Sequence, residues 1–181
     1  YSGDNHQAMF SVVRYGNGMG SRGSVIPFFM SIAKDGVLPI TDNRMTRFMI
    51  SLEEGVELVW HAIEDMKGGE IYVKKIPSMK VTDIALAVDD KAKQEVVGIR
   101  PGEKLHEQMI GYEDAPYTYE YQDHYKILPS INAWASDPTR IGSGKKVATD
   151  FIYSSDSNKE WMQISELRDW IEKNCSKTGK V

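Results

Sequence analysis

Short apolar runs bounded by turn residues mark the predicted strands. Residues 10–15 are β-branched and aromatic and stop at Gly16-Asn17-Gly18, a pattern typical of a strand that ends in a tight turn. Similar runs predict further extended segments at residues 38–41, 71–73, 96–99 and 117–121. Pro39 favours an edge position for the 38–41 segment, because proline cannot donate a hydrogen bond to a neighbouring strand.

Apolar residues three and four positions apart predict the helices. Ser51 and Glu54 have the spacing of a capping box at the start of a helix. The apolar positions that follow at helical spacing are Val56, Val59, Trp60 and Ile63. Further helices are predicted over residues 27–33, 78–88 and 104–110, and a C-terminal helix has Ile164, Leu167 and Ile171 on one face. This alternation of strands and helices predicts an α/β or α+β domain.

Composition narrows the class of protein. The chain has 181 residues, of which 41% are hydrophobic and 10% aromatic, enough for a substantial core. Its 22 basic and 26 acidic residues give a net charge of -4, which argues against a general nucleic-acid binder. Because Cys175 is the single cysteine, an internal disulfide framework and a thiolate zinc site are excluded. We expect a protein of the reducing cytoplasm, with no membrane span.

A glycine turn and an arginine precede the first predicted helix. The turn at residues 16–20 is compatible with phosphate binding, although Ser21 stands where a dinucleotide motif has its third glycine. Arg22, Gly23 and Ser24 follow, and a guanidinium, a hydroxyl and free amides ahead of a helix could together hold an anion. An ordinary tight turn, a solvated arginine and a serine N-cap are the alternative.

Other arginines also lie at the ends of predicted elements. Arg44, Arg47 and Arg100 occur in turns of an acidic chain, which favours an anionic ligand over general basicity. His106 and Glu107 resemble the start of a zinc-protease motif, but the second histidine is missing. We interpret the acidic pairs at 89–90 and 113–114 as solubilising charge, and the His61–Asp65 pair as a surface contact.

Several longer runs together resemble one family. They are Phe10-Ser-Val-Val-Arg-Tyr-Gly-Asn17, Gly20-Ser-Arg-Gly-Ser-Val-Ile-Pro-Phe-Phe29, Gly98-Ile-Arg-Pro-Gly-Glu-Lys-Leu-His-Glu107 and Tyr153-Ser-Ser-Asp156. From about residue 10 to residue 161, the chain resembles the inverting UDP-N-acetylglucosamine 4,6-dehydratases of pseudaminic acid synthesis. These are members of the extended short-chain dehydrogenase/reductase superfamily.

The resemblance implies both a fold and a reaction. The fold would be an α/β fold, with late strands of a Rossmann-like NAD(P)-binding sheet and a small α/β substrate-binding lobe. In the family, NADP takes hydride from C4 of the sugar, water leaves across C5 and C6, and hydride returns at C6 with inversion at C5. The family's glycine-rich NADP loop and its catalytic motifs would fall before Tyr1. We therefore expect residues 1–181 to be a C-terminal, mainly substrate-binding portion without catalytic residues or metal ligands, which does not bind NADP alone and is inactive by itself.

The resemblance also implies contacts. Asn17 would bond the nucleotide sugar, and Gly18 would lie near the nicotinamide of NADP, although the family usually has an apolar residue such as valine there. The remaining contacts would be Arg22, Gly23, Ser24, Val25, Ile26 and Pro27 around UDP; Leu38, Pro39, Ile40 and Thr41 along the uracil; Arg47 and Arg100 on the diphosphate; Glu103 near the ribose; and Ser154, Ser155, Asp156, Ser157 and Asn158 over the nucleotide.

Two alternatives to a working substrate lobe remain open at this point. The chain could be a nucleotide-sugar-binding module that has lost catalysis, or a portion that binds no ligand without further residues. In each case the edge of the strand at residues 10–15 would be exposed, which favours a homo-oligomer or association through that edge. We expect a UDP-sugar as ligand and neither nucleic acid nor membrane as partner.

Overall fold

The computed structural model describes residues 8–131 and 133–175, which form a mixed α/β fold. The strands are β1 (Val12–Arg14), β2 (Asn17–Gly18), β3 (Val37–Ile40), β4 (Thr46–Ile50), β5 (Ile71–Lys74), β6 (Ser78–Lys80), β7 (Lys93–Val96), β8 (Gln108–Ile110), β9 (Thr118–Glu120), β10 (His124–Ile127), β11 (Lys145–Lys146) and β12 (Tyr153–Ser154). The helices are α1 (Val25–Ile32), α2 (Leu52–Asp65), α3 (Val81–Val88), α4 (Pro138–Ile141) and α5 (Ile164–Asn174).

The chain divides into two compact units, and each is built from three separate stretches of sequence. The first unit comprises Tyr1–Tyr15, Leu52–Lys75 and Gln108–Ser154. The second comprises Gly16–Ser51, Ile76–Glu107 and Ser155–Val181. The chain passes repeatedly from one unit to the other, so neither corresponds to a continuous half of the sequence.

The first unit is organised around a five-stranded sheet in the order β1-β5-β10-β9-β11. β1 and β5 are parallel, and the remaining neighbours are antiparallel. Leu58 and Ala62 of α2 pack with Tyr72 of β5, and Val13 of β1 joins this cluster. Because β1 ends the strand order, its outer edge has no partner strand among the described residues.

The helix predicted after Ser51 is confirmed, but the apolar stripe that predicted it is not its buried face. Val56, Val59, Trp60 and Ile63 are all exposed, and Trp60 retains 62% of its accessible surface. The buried positions of α2 are Gly55, Leu58 and Ala62. Leu58 and Ala62 pack with Tyr72, whereas a Cβ added at Gly55 would meet no atom within 4 Å, so the face that is buried is not the most apolar one.

The second unit holds a larger core between short strands and three helices. β2 runs parallel to β4, which is antiparallel to β6, while β3 and β7 form a separate parallel pair. Helices α1, α3 and α5 enclose a cluster of buried side chains. Its fully or almost fully buried members include Ile26, Phe29, Leu38, Ile40, Met45, Met49, Met79, Ile84 and Leu167. The C-terminal helix that the sequence predicts is thereby confirmed as part of a core.

Three predicted elements are wrong in whole or in part. The helix expected over residues 78–88 begins only at Val81, because residues 78–80 form β6 against β4. The strand expected at 96–99 is displaced to Lys93–Val96, where polar residues pair with β3. Residues 104–110 are not helical: Gln108–Ile110 form β8, which pairs with β12. In each case strand pairing with a distant segment outweighs local periodicity.

Candidate functional site

A glycine-bearing loop leads from β2 to α1 in the second unit. Successive turns connect it, since the amide of Ser21 donates to the carbonyl of Gly18 at 3.1 Å and that of Ser24 to the carbonyl of Ser21 at 3.0 Å. Gly23 has φ +79°, a left-handed conformation that side-chain-bearing residues rarely adopt. At Gly16 a Cβ would collide with Phe48, so glycine permits the close approach of this segment to β4.

The N-terminus of α1 carries unsatisfied hydrogen-bonding groups. Ser24 occupies the N-cap position in extended backbone, but its side chain makes no capping hydrogen bond. Its Oγ is buried and has no partner among the described residues. The first amides of a helix lack intrahelical acceptors, so those of Val25 and Ile26 add to this set, whereas Pro27 has no N–H to contribute. Such a helix start favours an anion.

The carboxylate of Glu107 contacts two predicted site residues, Asn17 and Arg47. The Nδ2 atom of Asn17 donates to Oε1 of Glu107 at 2.7 Å, and the amide of Phe48 donates to Oε2 at 2.8 Å. The Nε atom of Arg47 lies 3.9 Å from Oε1 of the same carboxylate. The structure therefore brings Asn17 and Arg47 together through Glu107, which the sequence did not identify as a site residue.

The guanidinium of Arg47 is mostly enclosed by protein. It donates to the carbonyl oxygens of Thr46 at 2.8 Å, Leu105 at 3.1 Å and Lys104 at 3.1 Å. Its NH2 group also lies 3.7 Å from Oε1 of Glu103. Only 15% of the Arg47 side chain is exposed. These contacts attach residues 103–107 to β4, so that Arg47 both organises this segment and presents a positive charge in it.

Arg100 lies in the turn that precedes this segment. The amide of Glu103 donates to the carbonyl of Arg100 at 3.0 Å, and the amide of Arg100 approaches Oε2 of Glu103 at 3.3 Å. The Arg100 residue is exposed. The two arginines of the predicted diphosphate clamp thus differ. Arg47 is bonded to protein groups, whereas Arg100 lies on the surface beside Glu103.

Buried hydroxyl groups support the backbone behind Arg47. The Oγ of Ser155 is 2.7 Å from Oγ1 of Thr46, which lies 2.8 Å from Nδ1 of His106. The amide of Glu107 donates to the same Ser155 Oγ at 2.9 Å, and the amide of Ser155 donates to the Glu107 carbonyl at 2.8 Å. Ser155 is fully buried. Sequence reasoning assigned neither Thr46 nor His106 to the site, although Thr46 directly precedes Arg47 and His106 lies three residues after Glu103.

The remaining predicted residues occupy varied positions. Leu38 and Ile26 are core residues, while Val25, Pro27, Pro39 and Thr41 are half-buried. Ser154 is buried in the first unit, whereas Asp156 and Ser157 are exposed in the turn that follows. Asn158 donates from Nδ2 to the carbonyl of Ile76 at 2.9 Å and to Oγ of Ser78 at 3.1 Å, so its amide ties the turn to β6.

Arg44 has a carboxylate of its own. Its Nε and NH2 atoms contact the two oxygens of Asp42 at 3.0 and 2.8 Å. The side-chain hydrogen bond from Arg44 holds the pKa of Asp42 at about 2, well below its usual value. Because this fork is already occupied, Arg44 is a poorer candidate for an anionic ligand than Arg22 or Arg100, neither of which forms an ion pair with another described residue.

The first unit contains a separate cavity of about 410 Å³, lined by Arg14 and by residues 108–109 and 111–114. None of the predicted site residues lines it. The NH1 group of Arg14 contacts Asp114 at 2.9 Å, so Asp114 is an ion-pair partner and our interpretation of it as merely solubilising charge is wrong. Asp65 likewise accepts hydrogen bonds from Tyr72 at 2.7 Å and Lys126 at 2.8 Å, and is not primarily a partner of His61.

The part of the chain described here contains no group of three or more histidine, cysteine and acidic residues arranged to hold a metal ion. Within residues 8–131 and 133–175, no helix is long and apolar enough to cross a membrane.

A family model described as polysaccharide biosynthesis protein matches residues 1–129. The inverting UDP-N-acetylglucosamine 4,6-dehydratase of Campylobacter jejuni strain 81-176 is 49% identical over 174 residues, which are 92% of this chain and 52% of that protein. The UDP-glucose 4-epimerase of Rickettsia conorii is 40% identical over 170 residues, which are 91% of this chain and 50% of that protein.

A solved structure shares the fold. The X-ray structure of Pen from Bacillus thuringiensis has a TM-score of 0.78 and 31% identity, and the match covers 92% of this chain and 51% of that one. The likeness confirms the predicted Rossmann-type α/β fold, and the sequence matches confirm the resemblance to the inverting dehydratases. The chain spans about half the length of the curated relatives it matches.

Proposed function

Because this chain belongs to the polysaccharide biosynthesis protein family, we propose that it is the part of an inverting UDP-N-acetylglucosamine 4,6-dehydratase that binds the nucleotide sugar. The relatives support this choice of ligand, since the dehydratases and the epimerases are both named for UDP-sugars. The higher identity to the dehydratases, 49% against 40%, favours dehydration over epimerisation for the full-length protein.

The observation that carries the proposal is the start of α1. Buried polar groups are nearly always hydrogen-bonded, yet the Ser24 hydroxyl has no partner among the described residues. A phosphate oxygen at this helix start would give an acceptor to the hydroxyl and to the neighbouring free amides, and the helix dipole would favour its charge. Arg22, exposed two residues earlier, supplies a guanidinium for the same anion.

Arginine is suited to the rest of a diphosphate. Its planar, permanently charged guanidinium can form two parallel hydrogen bonds to phosphate oxygens. We assign Arg100 to direct contact, because it is exposed, and Arg47 to holding residues 103–107 in place as well as contributing charge. In this assignment Ser155 and Asn158 act through the backbone they support, because their side chains already bond to protein.

We propose that this chain does not bind NADP by itself. Gly18 is the one residue of the chain proposed to lie near NADP, and a Cβ added there would be 3.6 Å from Cβ of Ser21, an ordinary contact. Position 18 therefore has room for a side chain and does not require glycine. We propose NADP binding, and with it the elimination of water to a 4-keto-6-deoxy sugar nucleotide, for the full-length protein. A cytoplasmic location also stays a prediction.

Replacing Arg100 by alanine tests the diphosphate contact. We expect UDP to bind more weakly by roughly 1.5–3 kcal/mol, the range for a hydrogen bond to a charged group. Isothermal titration calorimetry with UDP measures this directly. Arg44→Ala is the matched control, because it removes an exposed arginine whose fork is already taken by Asp42, and it should leave affinity unchanged. Equal affinities for Arg100→Ala and the unaltered chain would remove Arg100 from the clamp.

We also propose that this chain self-associates. The outer edge of β1 has no partner strand among the described residues, and Phe10 and Val12 there are 64% and 52% exposed. Unpaired strand edges tend to pair with other chains. Sedimentation velocity should show a concentration-dependent increase in mass, which Val12→Lys reduces and Glu95→Lys, on an exposed strand position elsewhere, does not. A single monomeric species at high concentration would contradict this.

A further inference from the structure

We propose that Glu107 is a positioning residue for the sugar end of the site, because its carboxylate determines which way the side-chain amide of Asn17 faces. This inference rests on the proposed function, and it adds the chemistry that Asn17 presents to a ligand. The group presented to the ligand is Oδ1 of Asn17, a hydrogen-bond acceptor. It suits a hydroxyl or amide N–H of a sugar and disfavours a phosphate oxygen.

The backbone of Glu107 is held on both sides by one buried residue. Its amide donates to Oγ of Ser155 at 2.9 Å, and its carbonyl accepts from the amide of Ser155 at 2.8 Å. Ser155 is itself fully buried and bonded to Thr46 on β4. The point from which the Glu107 side chain extends is therefore fixed relative to β4 and, through the parallel pairing of β2 and β4, relative to Asn17.

The carboxylate is bound at both of its oxygens. Oε1 accepts from Nδ2 of Asn17 at 2.7 Å, and Oε2 accepts from the amide of Phe48 at 2.8 Å. Arg47 adds a positive charge, with its Nε 3.9 Å from Oε1. The side chain of Glu107 is 28% exposed. One donor on β2, together with one donor and one cation on β4, thus holds the carboxylate in a single orientation.

This arrangement determines the polarity of the Asn17 amide. An ionised carboxylate accepts hydrogen bonds and cannot donate, whereas the amide has an NH₂ donor at one end and an oxygen acceptor at the other. The NH₂ end must therefore face Glu107, which directs Oδ1 away from it. Asn17 Oδ1 has no partner among the described residues. A ligand that reaches Asn17 meets this acceptor, and a sugar hydroxyl or acylamino N–H is the complementary group.

The test measures by calorimetry how tightly UDP and UDP-N-acetylglucosamine bind to the full chain. The variants are Glu107→Gln, Asn17→Ala and the double variant. Glutamine has one acceptor oxygen, so it cannot serve both Asn17 and the Phe48 amide. We expect Glu107→Gln to weaken UDP-N-acetylglucosamine binding about tenfold, the effect of misplacing one hydrogen bond, and to change UDP binding less than about twofold. In the Asn17→Ala background, Glu107→Gln should have no further effect on the sugar nucleotide, because it acts through Asn17.

The outcomes separate the possible roles. An equal loss of affinity for UDP and for the sugar nucleotide, or an undiminished effect of Glu107→Gln in the Asn17→Ala background, would overturn the positioning role and leave Glu107 a structural residue. Glu95→Gln, at an exposed position of β7, controls for the loss of one negative charge. If the unaltered chain binds neither ligand, the proposed function is overturned. If it binds both, and Glu107→Gln weakens UDP-N-acetylglucosamine more than UDP, both proposals are supported.

Discussion

Replacing Arg140 by methionine should destabilise the first unit by about 3–5 kcal/mol, the usual cost of removing one partner from a buried ion pair. Arg140 and Glu70 are 8% and 2% exposed, and NH1 of Arg140 donates to Oε1 of Glu70. The same guanidinium donates to the carbonyls of Gly68 at 2.9 Å and Lys67 at 3.2 Å, and lies 4.0 Å from the ring centre of Trp134. Methionine leaves the Glu70 carboxylate buried without its cation.

Urea unfolding followed by fluorescence measures this loss. The control is the double variant Glu70→Gln/Arg140→Met, which removes the stranded charge and should recover part of the stability lost in the single variant. Glu70 also accepts hydrogen bonds from the amides of Lys67 and Gly68, so complete recovery is not expected. A loss below about 1 kcal/mol for Arg140→Met, the value typical of an exposed pair, would show that water reaches Glu70.

Replacing Arg47 by methionine is expected to have the second largest effect, on both stability and binding. Arg47 donates to three carbonyl oxygens and lies between the carboxylates of Glu103 and Glu107. Losing hydrogen bonds from a charged donor should cost roughly 1.5–3 kcal/mol of stability. Residues 103–107 would lose the hydrogen bonds that Arg47 donates to Lys104 and Leu105 and would be held to β4 by fewer contacts, so UDP affinity should fall as well.

Arg47→Lys is the matched control for charge. Lysine retains the positive charge, but a compact ammonium cannot reproduce a fork that reaches three carbonyls and two carboxylates. We therefore expect Arg47→Lys to recover only a minority of the lost stability and UDP affinity, measured by thermal unfolding and calorimetry. Full recovery by lysine would show that Arg47 acts only as a point charge and does not organise the segment.

The local pattern of apolar residues predicted the elements in which this pattern and the strand pairing favour the same conformation. The β-branched run at 10–15 contains β1, the run at 71–73 lies within β5, and the face formed by Ile164, Leu167 and Ile171 belongs to α5. The pattern failed where a distant strand decides the conformation. Residues 78–80 continue a helical pattern but pair with β4, and residues 108–110 pair with β12, more than forty positions away.

The candidate site was predicted as a set of charged turns, and its internal connections were not. Arg22, Arg47 and Arg100 stand out in an acidic sequence, so their residue type and position indicated an anionic ligand. Glu107 meets Asn17 across 90 positions and His106 meets Thr46 across 60. No local spacing encodes such contacts. Their one sequence signal was nearness to predicted site residues, since Thr46 precedes Arg47 and Glu107 lies four residues after Glu103.

A thermal-shift titration of this chain with UDP, UDP-N-acetylglucosamine and NADP tests the central claim most directly. At about one hundred times the dissociation constant, a ligand that binds only the folded state adds about 2.7 kcal/mol of stability, which is easily seen in the melting temperature. We predict that both uridine compounds raise the melting temperature and that NADP does not. An unchanged melting temperature with both uridine compounds would contradict the assignment of a nucleotide-sugar site to this chain.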